Sequence, residues 1–299
     1  MQRRSFLIAV PSVLAAARHC LAGDAVKPKS DLAGAMGITT GSFSRHVSEM
    51  PAKGKLVMLD LPKIMQGELD LKVIDLMTAT LPSLEPAYCE RFRAAAEKAG
   101  CVITNLKMNQ KDLDMASRDE ATRLHALTIY KKTIDAAQRL GCRWVRPLPG
   151  KKMPDMQLLT AAYRELIEYA GPKGISLLIE NNAWLSDDPE AIPRVIQAVG
   201  KGIAAQPDTG NWKPMARYAG LEKAFPLAVT CDFKALTLGP NGEHADYDLR
   251  RCFDIAWQSG FRGPWCFEHF HEELGMLFRE FGLLRDMLRV WMKEKEGSG

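Results

Sequence analysis

Four short runs in the second half of the chain end in carboxylates: Leu177-Leu178-Ile179-Glu180, Gln206-Pro207-Asp208, Cys231-Asp232 and Trp265-Cys266-Phe267-Glu268. A carboxylate at the end of a buried strand has lost much of its water, and four facing one axis repel unless a cation stands among them. One such acid would read as an ion pair or a helix cap; four in consecutive units point to a bound divalent metal. Side chains alternate along a strand, which puts Glu180 with Asn182, and Asp232 with Lys234, on shared faces. Asn182, Lys234 and Asn211 are therefore candidates for substrate contact, with Lys234 also a counter-charge. Lys107 and Asn109 follow an earlier apolar run and Arg146 closes another, offering donors for hydroxyls or a phosphate. Trp184 and Trp212 lie just past two of the acids, where an indole could stack on a ring. His269 and His271 follow Glu268 and could orient it or touch substrate, and His244 lies beside a Gly-Pro-Asn-Gly turn.

These residues need a frame that brings strand ends to one place. From about residue 36 onward, short β-rich runs alternate with longer helix-period segments, the rhythm of parallel βαβ units. Eight strand candidates are Met36 to Ser42, Leu71 to Met77, Cys101 to Lys107, Cys142 to Pro147, Ile175 to Glu180, Ile203 to Asp208, Val229 to Ala235 and Pro264 to Glu268. Helical patterns fall at Pro86 to Ala99, Arg118 to Leu140, Asp155 to Ala170, Pro189 to Val199, Leu249 to Ser259 and His271 to Met292, with a short, irregular first helix at Leu61 to Glu68. Several end in Gly, the residue that most easily takes the left-handed turn back toward a strand. Eight strand–helix units in one stretch favour an α/β fold of the (β/α)₈ TIM-barrel type, with working residues at the C-terminal strand ends. No Gly-x-Gly-x-x-Gly follows a strand, so a dinucleotide site is unsupported.

On these motifs the chain resembles the xylose isomerase-like barrels, in particular the sugar phosphate isomerase/epimerase group. The resemblance rests on a Glu ending the fifth strand, Asp-Thr-Gly-Asn at the sixth, an x-Lys pair ending in Lys234 at the close of the seventh and Trp-x-x-Glu at the eighth, and it spans about residues 37 to 288. It implies Glu180, Asp208 and Glu268 as ligands of a divalent metal, with Glu180 and Glu268 as the acid/base pair. Asp232 stands where that family usually has a His. If Asp232 ligates, the site is all oxygen, which favours Mg²⁺, Mn²⁺ or Ca²⁺ over Zn²⁺; alternatively Asp232 points away and three carboxylates remain. The implied reaction is metal-assisted proton removal next to the carbonyl of a ketose or keto-sugar, giving isomerisation or epimerisation. The same start could eliminate a β-substituent, making the protein a lyase, and a barrel that binds sugar without turnover is the other alternative.

Composition narrows the field further. A quarter of the 299 residues are charged and 46% are apolar, ordinary for one large domain. The formal charge of +4 includes Arg3, Arg4 and Arg18 near the N-terminus, and there is no basic stripe for nucleic acid. Relatives by fold that cleave DNA at abasic sites hold a zinc cluster largely by histidines; the few histidines here are too scattered for that. The opening Arg3-Arg4-Ser5-Phe6-Leu7, the apolar stretch Ile8 to Ala17 and small residues near Ala22 resemble a twin-arginine export signal. The expected organisation is a leader over 1–22, a linker over 23–35 and a single barrel over 36–299, exported to the periplasm. The apolar stretch is too short for a stable membrane anchor. Six cysteines beyond the leader, none in a Cys-x-x-Cys pair, are expected as free thiols, and barrels of this kind commonly form homo-oligomers through their outer helices.

Overall fold

The computed structural model describes residues 30–110 and 112–297. The proposed leader lies outside the described residues. Eight parallel strands run through them: β1 (Met36–Thr39), β2 (Val73–Met77), β3 (Val102–Met108), β4 (Trp144–Pro147), β5 (Ser176–Ile179), β6 (Ile203–Ala205), β7 (Cys231–Lys234) and β8 (Trp265–Glu268). Each pairs with its chain neighbour, and β8 pairs with β1. Between β6 and β7 the ladder shrinks to single parallel bridges, Ala205 with Ala228 and Asp208 with Asp232. The sheet thereby closes into a (β/α)₈ barrel.

Eight helices follow the strands: α1 (Leu61–Leu69), α2 (Pro86–Lys98), α3 (Glu120–Leu140), α4 (Met156–Ala170), α5 (Ala191–Val199), α6 (Arg217–Ala224), α7 (Leu249–Gln258) and α8 (Leu274–Glu296). Their starts carry the expected chemistry, since Asp119, Asp155 and Asp248 accept hydrogen bonds from amides of the first turns of α3, α4 and α7. Gly141 ends α3 at φ +79°, a conformation that penalises any side chain with a Cβ. The eight-residue α6 was not expected from the sequence; it lacks a strong apolar stripe and is held by tertiary packing of Leu221 and Ala224.

Period-two alternation builds the barrel in layers. Val73, Trp144, Leu178, Ala204 and Cys266 form an apolar floor with Val229, plugged from below by Leu32. Leu32 belongs to a short 3₁₀ turn, Ser30–Leu32, so the expected linker contributes to the barrel from that point. Two residues further along the same strands stand Asp75, Arg146, Glu180, Gln206 and Glu268. The chemistry is thus seated directly on a dry base. The alternate residues, including Ile74, Leu76, Val145, Leu177, Ile179, Phe233 and Phe267, are buried toward the helices, where most apolar burial of the domain lies. All six expected thiols are buried and free.

Candidate metal centre

The strands bring Glu180, Asp208 and Asp232 together. One oxygen from each lies within 4.8 Å of the others, and all three residues are buried. Each carboxylate is fixed from one side. Asp208 Oδ1 accepts the amides of Gly210 (2.7 Å) and Asn211 (2.9 Å). Glu180 Oε1 accepts Asn211 Nδ2 at 2.8 Å. Asp232 Oδ1 accepts Lys107 Nζ at 2.5 Å, Thr39 Oγ1 at 3.2 Å and Gln206 Nε2 at 3.3 Å. The second oxygens, Glu180 Oε2, Asp208 Oδ2 and Asp232 Oδ2, are buried without a hydrogen bond among the described residues. Three buried lone-pair donors with no hydrogen-bond partner carry a desolvation cost that a cation would relieve. Their all-oxygen character and converging placement fit a hard divalent ion.

Lys234, the counter-charge suggested by the sequence, does not stand alone among the four acids. Three protein cations already stand among them. Arg146 Nε lies 2.9 Å from Glu180 Oε2, Lys107 Nζ lies 2.5 Å from Asp232 and 3.7 Å from Glu268 Oε2, and Lys234 Nζ lies 2.7 Å from Glu268 Oε1 and 3.5 Å from Asp208 Oδ2. Four carboxylates against three cations leave one excess negative charge. What points to a metal is the convergence of three buried oxygens that accept no hydrogen bond, two of them, Glu180 Oε2 and Asp208 Oδ2, meeting protein cations only as ion pairs. Burial opposes the charge on Lys107, but Asp232, Glu268 and Glu180 around it hold its pKa above the ordinary lysine value. Burial lifts the Asp208 carboxyl to about 7, with the nearby Lys234 working against the rise and Glu268 and Glu180 adding to it.

Glu268, expected as a fourth ligand, falls outside the metal-capable group and is held by Lys234 and, more distantly, Lys107. Asn211 bridges the two halves of the site, donating to Glu180 and accepting from Lys234 Nζ at 3.0 Å. Lys107 and Arg146, expected as substrate contacts, are almost fully enclosed and paired with acids. Asn182 is half-buried just beyond Glu180.

Trp212 is not at the mouth. It is buried beneath α6, where a Cβ on Gly220 would lie 2.5 Å from its ring. The His269 ring turns into the shell, with Nδ1 at the Ala235 carbonyl and Nε2 2.5 Å from Glu280 Oε2, so it fastens β8 to α8. His244 packs on Tyr247 at 3.9 Å, and Tyr247 Oη donates to the Lys234 carbonyl at 2.5 Å. His271 accepts the Glu273 amide.

Sequence reasoning missed the supports. Asp75 accepts from Thr104 Oγ1, Asn105 Nδ2 and Gln206 Nε2, forming a polar layer that Gln206 links to Asp232. Asn181 exchanges two hydrogen bonds with the Asp208 backbone and staples the ends of β5 and β6. Polar residues at period-two positions within apolar strands, such as Asp75 and Gln206, were the available signal.

The profile of the family described as xylose isomerase-like TIM barrel matches residues 68–295. The chain belongs to this family. Among solved structures, it is similar to a xylose isomerase-like TIM barrel protein from Mycobacterium smegmatis in complex with magnesium, at 19% identity over 86% of this chain and 97% of that one, TM-score 0.60. It is also similar to an L-ribulose 3-epimerase (16% identity, 88% and 97% coverage, TM-score 0.69). D-psicose 3-epimerase with D-tagatose from Clostridium cellulolyticum H10 gives 14% identity, 86% and 98% coverage and a TM-score of 0.68. No curated protein sequence matches the chain. At these identities the solved structures establish the shared fold, and several of them are sugar isomerases or epimerases by description.

Proposed function

We propose that the protein is a divalent-metal-dependent sugar isomerase or epimerase acting on a ketose or keto-sugar by proton removal next to the carbonyl. The observation that carries this reading is the convergence of three buried carboxylates, each with one oxygen fastened by hydrogen bonds and the other accepting none, with Arg146 and Lys234 beside those of Glu180 and Asp208 only as ion pairs. Glu180, Asp208 and Asp232 would hold the ion, with Mn²⁺ or Mg²⁺ the best match to oxygen donors. When bound, the ion polarises the substrate carbonyl and so acidifies the neighbouring C–H.

The chain's own residues do the rest. Glu268, outside the metal group and at the mouth end of β8, is the base that takes the proton. Lys234 holds Glu268 in place and offers an ammonium to a substrate oxygen, while Asn211 orients Lys234 and Glu180 together. Glu180 is the second carboxylate of the acid/base pair that the family resemblance implies. The twin-arginine-like leader supports export to the periplasm, and an exported enzyme of this kind would meet a free sugar or glycoside more readily than a phosphate ester.

The test is Mn²⁺ binding by the leaderless protein and by Glu180→Gln and Asp208→Asn, together with deuterium uptake from D₂O into a panel of ketoses and 3-keto-sugars. Stoichiometric Mn²⁺ lost in both variants, with metal-dependent exchange into one sugar, is the expected outcome. Absence of Mn²⁺ binding in all three proteins would overturn the reading.

A further inference from the structure

We infer that Lys107 is a resident counter-cation that shares Asp232 with the metal and limits how tightly the metal is held. The inference rests on the metal reading above and adds a residue whose position works against the ion. Lys107 comes from β3, across the barrel from β7, and its ammonium reaches Asp232 Oδ1 and Thr39 Oγ1 at 2.5 Å each. Its side chain is 1% exposed, against 13% for Lys234. Lys234 sits near the mouth and keeps part of its side chain in contact with solvent. Lys107 is enclosed, and its charge remains in the site whatever binds.

The geometry makes ion and ammonium compete for one carboxylate. Asp232 gives one oxygen to Lys107, Thr39 and Gln206, and leaves the other unpaired in the group formed with Glu180 and Asp208. A divalent ion held through that second oxygen would share one carboxylate with the ammonium, and like charges on one carboxylate in a largely enclosed site repel strongly. Lys107 offsets the charge of Asp232 without an ion, and an ion sharing its ligand with the ammonium would keep more of its positive charge for a substrate oxygen.

The experiment is Mn²⁺ titration followed by the electron paramagnetic resonance of the free ion, on the wild-type protein, Lys107→Met and Lys107→Arg, with folding checked by circular dichroism. Lys107→Met is expected to bind Mn²⁺ at least tenfold more tightly, and Lys107→Arg, which keeps the charge, to show no such gain. A residue that only supports the fold would give weaker or unchanged binding on replacement by Met. Should Lys107→Met not fold, Asp232→Asn is compared with Lys107→Met/Asp232→Asn, which removes both charges together. There the double variant is expected to bind at least tenfold more tightly than Asp232→Asn. Wild-type binding that neither comparison tightens overturns this inference alone. Failure of every folded variant, wild type included, to bind Mn²⁺ overturns it together with the metal reading.

Discussion

Asp208 is the residue whose protonation should be visible from outside. Burial lifts its carboxyl to about 7, well above an unfolded aspartate at about 3.9. The folded state therefore holds this proton more tightly than the unfolded chain, and the group's contribution to stability falls as pH rises from about 4 to about 7 in the metal-free protein. A metal ion must displace the same proton. Mn²⁺ affinity is thus expected to climb by up to about tenfold per pH unit below pH 7. Calorimetric titration at pH 5, 6, 7 and 8 measures this, and an affinity flat from pH 5 to 8 would contradict it. Asp208→Asn should lose more than about hundredfold in affinity, beyond the 10–100-fold typical of groups that merely orient a ligand.

Among the elements, the contact between β1 and β2 is the least forgiving. Gly37 lies so close to β2 that a Cβ would sit 1.9 Å from the Val73 carbonyl oxygen. Backbone cannot yield as a flexible side chain can, so Gly37→Ala should cost about 3 kcal/mol or more. Gly67, exposed within α1 with nothing within 4 Å of its Cβ direction, gives the contrast. Gly67→Ala should stabilise by roughly 0.5–1 kcal/mol, the ordinary helix preference. Urea unfolding of the two variants distinguishes them by sign. The long α8 closes the ring of helices by burying Leu277, Phe281, Leu284 and Leu288. Its exposed Arg289–Asp70 pair, 2.6 Å long, adds only about 0–1 kcal/mol to that burial.

For the whole molecule, the weak point of the barrel and its proposed metal site coincide. Seven of the eight strand contacts are ladders, that of β2 and β3 with a register shift at Ile74/Asp75, while β6 and β7 meet through isolated bridges. The amides of Val229, Asp232 and Thr209 donate across this seam to Ala205, Pro207 and Asp232 carbonyls. Asp208 and Asp232, each with one oxygen that accepts no hydrogen bond, pair across it. An ion between them would stitch the seam. Hydrogen exchange at the Thr209 and Asp232 amides should be among the fastest of the barrel strands without metal and slow at least about tenfold with saturating Mn²⁺, since binding to the native state raises the cost of local opening. Unchanged exchange at both amides while Mn²⁺ is bound would place the ion elsewhere.

Much of this was written locally in the chain. The eight strands and seven of the eight helices follow from hydrophobic period, α6 being too weakly patterned to show, and Glu180, Asp208, Asp232 and Glu268 follow from reading what ends each apolar run. Period two also assigned Asp232 and Lys234 to one face, as the barrel has them. It did not reveal depth. Whether an inward side chain sits on the floor, in the polar layer or at the mouth depends on how each strand is staggered against its neighbours, a property of the closed sheet. Only the tertiary structure therefore set Lys107 against Asp232, 125 positions away in the chain, and gave Arg146 to Glu180 and Lys234 to Glu268. Side-chain direction in loops was equally out of reach: Trp212 and His269 carry no strand period, and each turned toward the shell, where an indole finds apolar cover and an imidazole finds Glu280.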